Sequence, residues 1–408
     1  MSHARLYFLS IVGILIVSSR LTAMVYDNRF FPLIKQPFLI VDGRPSHGSS
    51  SLFIMTGSKA IGTVEEEIGI PELFGKFDLK QISNAVTRLG LPNPLRSELQ
   101  TLNFPYRVEG VLQAQGLSFA YEQATFDWLK LGMNWFFMNV SSRQEFFLDT
   151  ARLFPGASPI ELDEARRTMF QELGFSQANA QQFGLSDLDV YARFGYQWCY
   201  ALKFRRIDAG ARLGMLVPTG VTTKLNSPAS VPFGGNGFWG IYGQLDGEFE
   251  LKEDLTAGFY TRVSKRFAQT KIQRLPIEGE PQIFGATCGP VNINPGLTFV
   301  FSPYVCLENL RAGMGARLLY TLTKHWADCW KNASNPQGIP VKLGEVNALN
   351  EWKTDYVTLN VFYDFGKVKE CRGLNPVIFF AWDIPSLLFA SERAATTHRI
   401  SLGVELNF

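Results

Sequence analysis

Arg399-Ile400-Ser401-Leu402-Gly403-Val404-Glu405-Leu406-Asn407-Phe408 alternates without a break. Ile400, Leu402, Val404, Leu406 and Phe408 share one parity, and Arg399, Ser401, Gly403, Glu405 and Asn407 share the other. Successive side chains of an extended strand point to opposite faces, so this pattern describes a strand with hydrocarbon suited to one side and water to the other.

The same rhythm recurs upstream. In 188–198, Leu188, Val190, Ala192, Phe194, Tyr196 and Trp198 oppose Asp189, Tyr191, Arg193, Gly195 and Gln197. Stretches 207–217, 255–263, 312–320 and 357–365 repeat it, and weaker forms lie at 49–59, 108–122, 128–140, 238–249, 296–305 and 375–383. With the terminal strand the count is about twelve, and ten to fourteen are compatible with the pattern. In 108–122 Val111, Leu117 and Phe119 share a parity with Gln113 and Gln115, which predicts a bulge or two shorter strands there.

The closing strand resembles the C-terminal assembly signal of bacterial outer-membrane β-barrel proteins. A polar residue, a glycine and two apolar residues spaced by one end such chains, and Ser401, Gly403, Leu406 and Phe408 fill those places. The resemblance implies an all-β fold, a transmembrane antiparallel up-and-down β-barrel in the bacterial outer membrane. Its implied partners are outer-membrane lipid and, through the last strand, the barrel-assembly machinery. It names the class and no family within it.

The N-terminus agrees with export. Arg5 precedes an apolar run over 6–17 that is too short to span a bilayer and reads as a secretory signal; a buried helix or an N-terminal anchor is the alternative. Cleavage is expected after Ser19 or Ala23, so 1–23 is set aside as signal peptide and 24–408 as barrel. Hydrophobic content of 46%, mean hydropathy of +0.01 and net charge of +2 look like a soluble protein. A barrel hides its two faces in such an average. Near-zero net charge also argues against nucleic acid as a partner. No later apolar run reaches the length of a membrane helix, so a bilayer crossing requires a closed sheet.

Connector lengths alternate. Short links near 123–127, 200–204, 250–254 and 306–309 read as periplasmic turns, and long ones at 60–105, 141–187, 218–237, 268–294, 323–354 and 384–396 as extracellular loops. Both termini then lie on the periplasmic side. Ser158-Pro159-Ile160-Glu161 opens a helix with a capping box, and 78–89 places Leu79, Ile82, Val86 and Leu89 on one helical face. These two segments, 60–105 and 141–187, either close the mouth as lid or plug or decorate the surface.

The parity sends Lys130, Asp189, Arg193, Asp208, Arg212, Asp246 and Glu248 into the lumen, together with Arg262, Arg266, Arg311, Arg317, Asp364, Arg399 and Glu405. Charges there must be hydrated or paired. They line either a watery passage whose arginines attract anionic or polyhydroxylated solutes, or a ladder of ion pairs that fills a narrow barrel. Trp135, Trp198, Trp239, Phe249, Tyr320 and Phe408 face outward as candidates for interfacial girdles.

Catalysis finds little material. The four histidines are His3, His47, His325 and His398, and only His398, near the outer rim on the lipid side, has the placement of a base in an outer-membrane lipase or protease. No serine motif accompanies it. Gly234-Gly235-Asn236-Gly237 lacks the lysine of a phosphate cradle and reads as a loop, while Val64-Glu65-Glu66-Glu67 reads as a solvated face or a calcium contact. No cofactor and no metal site is expected. Five cysteines leave one unpaired and match no zinc spacing; they serve as small apolar fillers or as disulfides. Predicted topology puts Cys288 and Cys329 in neighbouring outer loops and Cys306 and Cys371 in neighbouring inner turns, with Cys199 left free. The function expected is a porin-like channel for passive diffusion of small hydrophilic solutes, anionic ones included. A non-conducting adhesion or envelope-structural barrel and an outer-membrane enzyme are the alternatives.

Overall fold

A computed structural model describes residues 28–30, 45–63, 66–148, 157–176, 178–200, 202–368, 375–386 and 391–408. Twelve strands build its wall: β1 (His47–Ile61), β2 (Pro105–Phe126), β3 (Leu129–Leu148), β4 (Leu188–Cys199), β5 (Arg206–Val217), β6 (Gly240–Lys252), β7 (Leu255–Arg266), β8 (Leu297–Arg311), β9 (Met314–His325), β10 (Trp352–Asp364), β11 (Asn375–Pro385) and β12 (Ala394–Asn407). Each pairs antiparallel with the next, and β12 returns to β1 in a register running from His47 opposite Asn407 to Ile61 opposite Ala394. The circle leaves no unpaired edge, as hydrocarbon requires. No helix among the described residues is long and apolar enough to cross a membrane.

Burial follows the sequence parity. Leu52, Ile54 and Leu402 are 61%, 66% and 56% exposed on the outside, while Ser401 and Glu405 are buried within. Aromatic rings gather at the short-turn end, where Trp128 stacks between Phe126 and Phe194 and Phe408 lies against Tyr121. Phe249 stacks on Phe259 and Trp135 on Phe119, and Trp198 and Trp239 stand exposed. Tyr320 faces outward but turns its hydroxyl to Asp355, at 3.4 Å.

Three expectations change. First, β2 is one strand without a bulge in 108–122, in register with β3 from Tyr106 opposite Leu148 to Ala124 opposite Lys130. Gln113 and Gln115 keep the outward parity. Gln113 lies in a row with Thr56, Ser141 and His398, so the polar residues mark where the wall leaves hydrocarbon. Above that row the outward face carries ion pairs, Arg107–Glu109 and Arg143–Glu145, each at 2.9 Å. At 22 and 20 residues, β2 and β3 far exceed the roughly 9–11 needed to span.

Second, the 141–187 connection contains wall. Asn179–Leu185 pairs with the upper part of β3, and β4 with its lower part. Between Leu185, opposite Phe137, and Asp189, opposite Asn134, the register slips by one residue. This bulge at Ser186-Asp187 breaks the alternation that would have revealed the strand. Third, Asn28–Phe30 sit at the long-loop end, where Arg29 O accepts from the Ala395 amide at 3.0 Å, whereas β1 begins at the other end with Ser46 paired to Phe408. The expectation that the N-terminal side lies wholly with the short turns holds for β1 and fails for these residues.

The long connections form a roof. Helix α1 (Leu79–Arg88) is capped by Asp78, whose carboxylate accepts from the Lys80 amide at 2.9 Å. Helix α2 (Pro159–Glu172) starts where the sequence predicts, but Ser158 makes no side-chain cap, and Glu161 pairs instead with Arg96 at 2.8 Å. Both helices share a core of Leu79, Ile82, Val86, Leu162, Met169 and Phe284. A three-stranded sheet of Gln269–Leu275, Thr287–Asn294 and Cys329–Lys331, with α3 (Gly344–Leu349), occupies segments that read as plain loops.

Leu402→Arg on the outer face should cost about 2–4 kcal/mol near the bilayer midplane. Reversible unfolding from lipid measures this, and an unchanged stability would contradict the outward placement of this parity.

Candidate functional site

Charged residues placed inward at every second position form several groups of ion pairs and hydrogen bonds. Asp189 accepts from Tyr242 at 2.6 Å and from Arg262 at 3.1 Å, and the Arg262 guanidinium lies 3.5 Å from the centre of the Tyr242 ring. Arg193 binds Asp208 and, at 2.6 Å, Asp246, which also accepts from Arg212 at 3.0 Å. Glu122 draws in Lys130 at 3.5 Å and Arg212 at 3.7 Å. Glu248 accepts from Tyr304 at 2.6 Å and Arg206 at 3.3 Å; Arg399 pairs with Asp383, and Asp364 accepts from Asn375 at 3.1 Å. Arg317 and Glu405 are buried in the same interior. Removing one member of such a pair strands the other in a dry medium, at about 3–5 kcal/mol.

Arg311 is the exception among the residues assigned to the lumen. It is exposed, because the β8–β9 register slips between Leu307 and Arg311 just before the turn at Ala312-Gly313. The slip moves it off the inward parity.

Tyrosines complete the packing, and they went unassigned in the sequence reading. Tyr191 lies over Gly132, Tyr242 over Gly214 and Tyr304 over Gly258, each glycine sitting directly across the strand pair. A Cβ at any of the three would lie 2.3 Å from the facing ring. The signal was present as inward-parity glycines, but only strand pairing tells which tyrosine each one admits.

Beyond this polar layer the interior turns apolar. Phe53, Phe136, Tyr260, Val300, Leu319 and Tyr356 come from six different strands and meet in one cluster. Val231 and Phe233 join them from the 218–239 connection, and Phe233 is fully buried. That connection therefore enters the barrel, whereas α1 and α2, which the sequence put forward as lid or plug, lie in the roof above.

Its anchor is the bulge. Asp187 accepts from the Gly235 amide at 2.7 Å and the Gly220 amide at 3.2 Å, and pairs with Arg266 at 2.7 Å. Gln182 accepts from the Val231 amide at 2.7 Å. A Cβ at Gly235 would lie 1.8 Å from the Arg266 guanidinium carbon, and Gly234 has φ of 131° beside Asp187. The glycine run read as a loop signal is thus needed for a close approach to the Asp187–Arg266 pair.

Over this plug lies a vestibule of about 200 Å³, bounded by Asn28–Phe30, the plug, the outer sheet and the upper ends of β7, β9 and β10. Burial lowers the Arg29 guanidinium to about 10 and also lowers Arg274. His325 hydrogen-bonds Thr298 at 2.8 Å and Asp328 at 3.0 Å and stacks on Trp352. His47 bonds Asn407 at 2.6 Å at the opposite end. His398 is exposed beside Trp382 and makes no hydrogen bond among the described residues.

The proposed Cys288–Cys329 bridge is corrected. Cys288 stands opposite Arg274 and Cys329 opposite Asn294, so about six residues of strand, roughly 20 Å, separate them, beyond the reach of about 7 Å between bridged Cα atoms. Both are free thiols, as are exposed Cys199 and buried Cys306. Cys371, the expected partner of Cys306, and the signal segment 1–23 lie outside the described residues. No cluster of three or more metal-binding side chains occurs among the described residues.

No family model and no curated protein match the sequence. Among solved structures, the chain is similar to an outer membrane channel from Pseudomonas putida F1, at 10% identity over 91% of this chain and 100% of that one, with a TM-score of 0.47. A FadL homologue from Pseudomonas aeruginosa follows at 9% identity, 90% of both chains and 0.33, and the NanC porin at 11%, 74% and 99%, and 0.30. The closed wall, its apolar outer band and its unequal ends give the chain the fold of a transmembrane β-barrel of the outer-membrane type.

Asp187→Asn should loosen the plug. Protease added outside reconstituted vesicles is expected to cut within 218–239 in the variant and not in the wild type; equal resistance would show that the plug is held elsewhere.

Proposed function

We propose that the protein is an outer-membrane channel for small hydrophilic solutes, closed in the conformation described, with the 218–239 connection as its gate. The observation carrying this reading is that the apolar layer is completed by an inserted connection, tied to the wall by amide hydrogen bonds to Asp187 and Gln182. A wall filled by its own side chains would need no such insertion. Withdrawal of Val231 and Phe233 opens the layer, and the ion pairs beneath it have polar surfaces that water can hydrate.

A second reading, a non-conducting structural or adhesive barrel, draws support from the burial of Asp189, Arg193 and Arg262, each less than 10% exposed. His398 carries no catalytic role in either.

Single-channel recording in planar bilayers separates them. The wild type should show rare openings, and a variant with 222–236 replaced by a short Gly-Ser linker should show frequent, larger steps. Silence of both proteins at every voltage ends the channel reading and favours the structural one.

Assembly is the remaining role of the last strand, where a Cβ on Gly403 would meet Ser51 and Phe379 at 2.5 and 2.6 Å. Phe408→Ala is expected to lower the folded, heat-modifiable fraction in the outer membrane several-fold while refolding in detergent proceeds. An unchanged folded fraction would remove the assembly role from this residue.

A further inference from the structure

The vestibule has a charge imbalance. Arg29, Lys224, Arg266 and Arg274 line it, and among the described lining residues Asp328 is the single carboxylate. Asp328 is already engaged by His325 and, at 2.8 Å, by the Gly296 amide. Arg266 pairs with Asp187. Arg29 and Arg274 are both buried, and among the described residues they donate to neutral oxygens: the carbonyls of Leu73 and Leu349 for the first, those of Leu173, Leu225 and Gly285 with the Asn226 amide oxygen for the second. Desolvation by burial lowers both guanidinium groups, and for Arg29 the charge of nearby Asp328 offsets it only in part.

Among the described residues, two donors in the lining have no partner. Trp330 Nε1 and Asn350 Nδ2 are buried and unbonded, and Trp330 as a whole is only 9% exposed. A buried donor left unmade costs about 1–3 kcal/mol, so an acceptor is the complement that the cavity lacks. Five aromatic residues, Phe30, Phe74, Phe238, Trp330 and Trp352, line it beside prolines, serines and glutamines. A compact inorganic ion would leave those faces and most of about 200 Å³ unfilled.

We propose that the vestibule binds a small carboxylate carrying a ring, with the carboxylate taken by the unpartnered donors and the cationic wall and the ring by the aromatic faces. This names the solute class for the channel proposed above and rests on that reading for its role in transport, while binding itself does not require conduction. Lys224, exposed and without a side-chain partner among the described residues, stands where a carboxylate enters.

Titration calorimetry of the full chain in detergent tests the proposal, with nicotinate as probe, nicotinamide as its neutral counterpart and inorganic phosphate as the ringless anion. Nicotinate should bind saturably at one site, at least about tenfold tighter than either comparison compound. Trp330→Phe keeps the ring and removes the donor, and should weaken nicotinate about tenfold or more, the range for a hydrogen bond to a charged group. Lys224→Gln, at the surface, should weaken it about two- to fivefold. Absence of saturable nicotinate binding, equal binding of nicotinamide or phosphate, or wild-type affinity in Trp330→Phe overturns the site. Nicotinate binding in a protein that never conducts ends the channel reading and leaves the site; conduction without binding does the reverse.

Discussion

Hydrocarbon offers a peptide group no hydrogen-bonding partner, and every other feature of this molecule follows from that constraint. Twelve strands satisfy it by closing on themselves, with β12 paired along β1. Closure fixes two surfaces of opposite chemistry, and alternation is the only sequence pattern that serves both. It also creates an interior that must be hydrated, filled or blocked.

The chain solves the interior in two layers. Near the short turns, opposite charges on facing strands cancel, and tyrosines fold flat over cross-strand glycines so that the pairs stay dry. Farther out, side chains from six strands leave a space that Val231 and Phe233 complete. Ion pairs confer specificity of arrangement more readily than stability, since two buried charges repay their desolvation only in good geometry. The apolar layer is the cheaper barrier to water. It is also the one completed by a connecting segment rather than by the wall.

How far the sequence discloses this depends on the range of the interaction. Parity is local, so most of the wall strands, of the inward set from Lys130 to Glu405 and of the outward rings are legible from period alone. Arg311 failed because a turn displaced it by a register slip, and Asn179–Leu185 because the Ser186-Asp187 bulge broke the alternation. The plug was invisible for a different reason. Gly234 and Gly235 look like any loop glycines until Arg266 and Asp187, from other strands, are brought against them. Helical periodicity in 78–89 and 159–172 was real, yet it spoke only to local structure; an amphipathic face says that a helix packs, not where. The vestibule, assembled from separate stretches of chain between Asn28 and Trp352, has no local signature at all.

Arg266 ties the two functional regions together. Its guanidinium pairs with Asp187, which holds the amides of Gly220 and Gly235, and the same side chain lines the vestibule. An anion drawn into the vestibule therefore acts on the residue that neutralises the plug's anchor. A second anion beside Arg266 shares the charge on which Asp187 relies, and a carboxylate whose cation is shared in a dry setting is less stabilised. Linkage makes the coupling reciprocal: an occupant that weakens the anchor favours the open plug, and an open plug favours the occupant to the same degree. A barrel built only for strength would gain nothing by routing the anchor of its plug through the wall of a solvent-facing cavity.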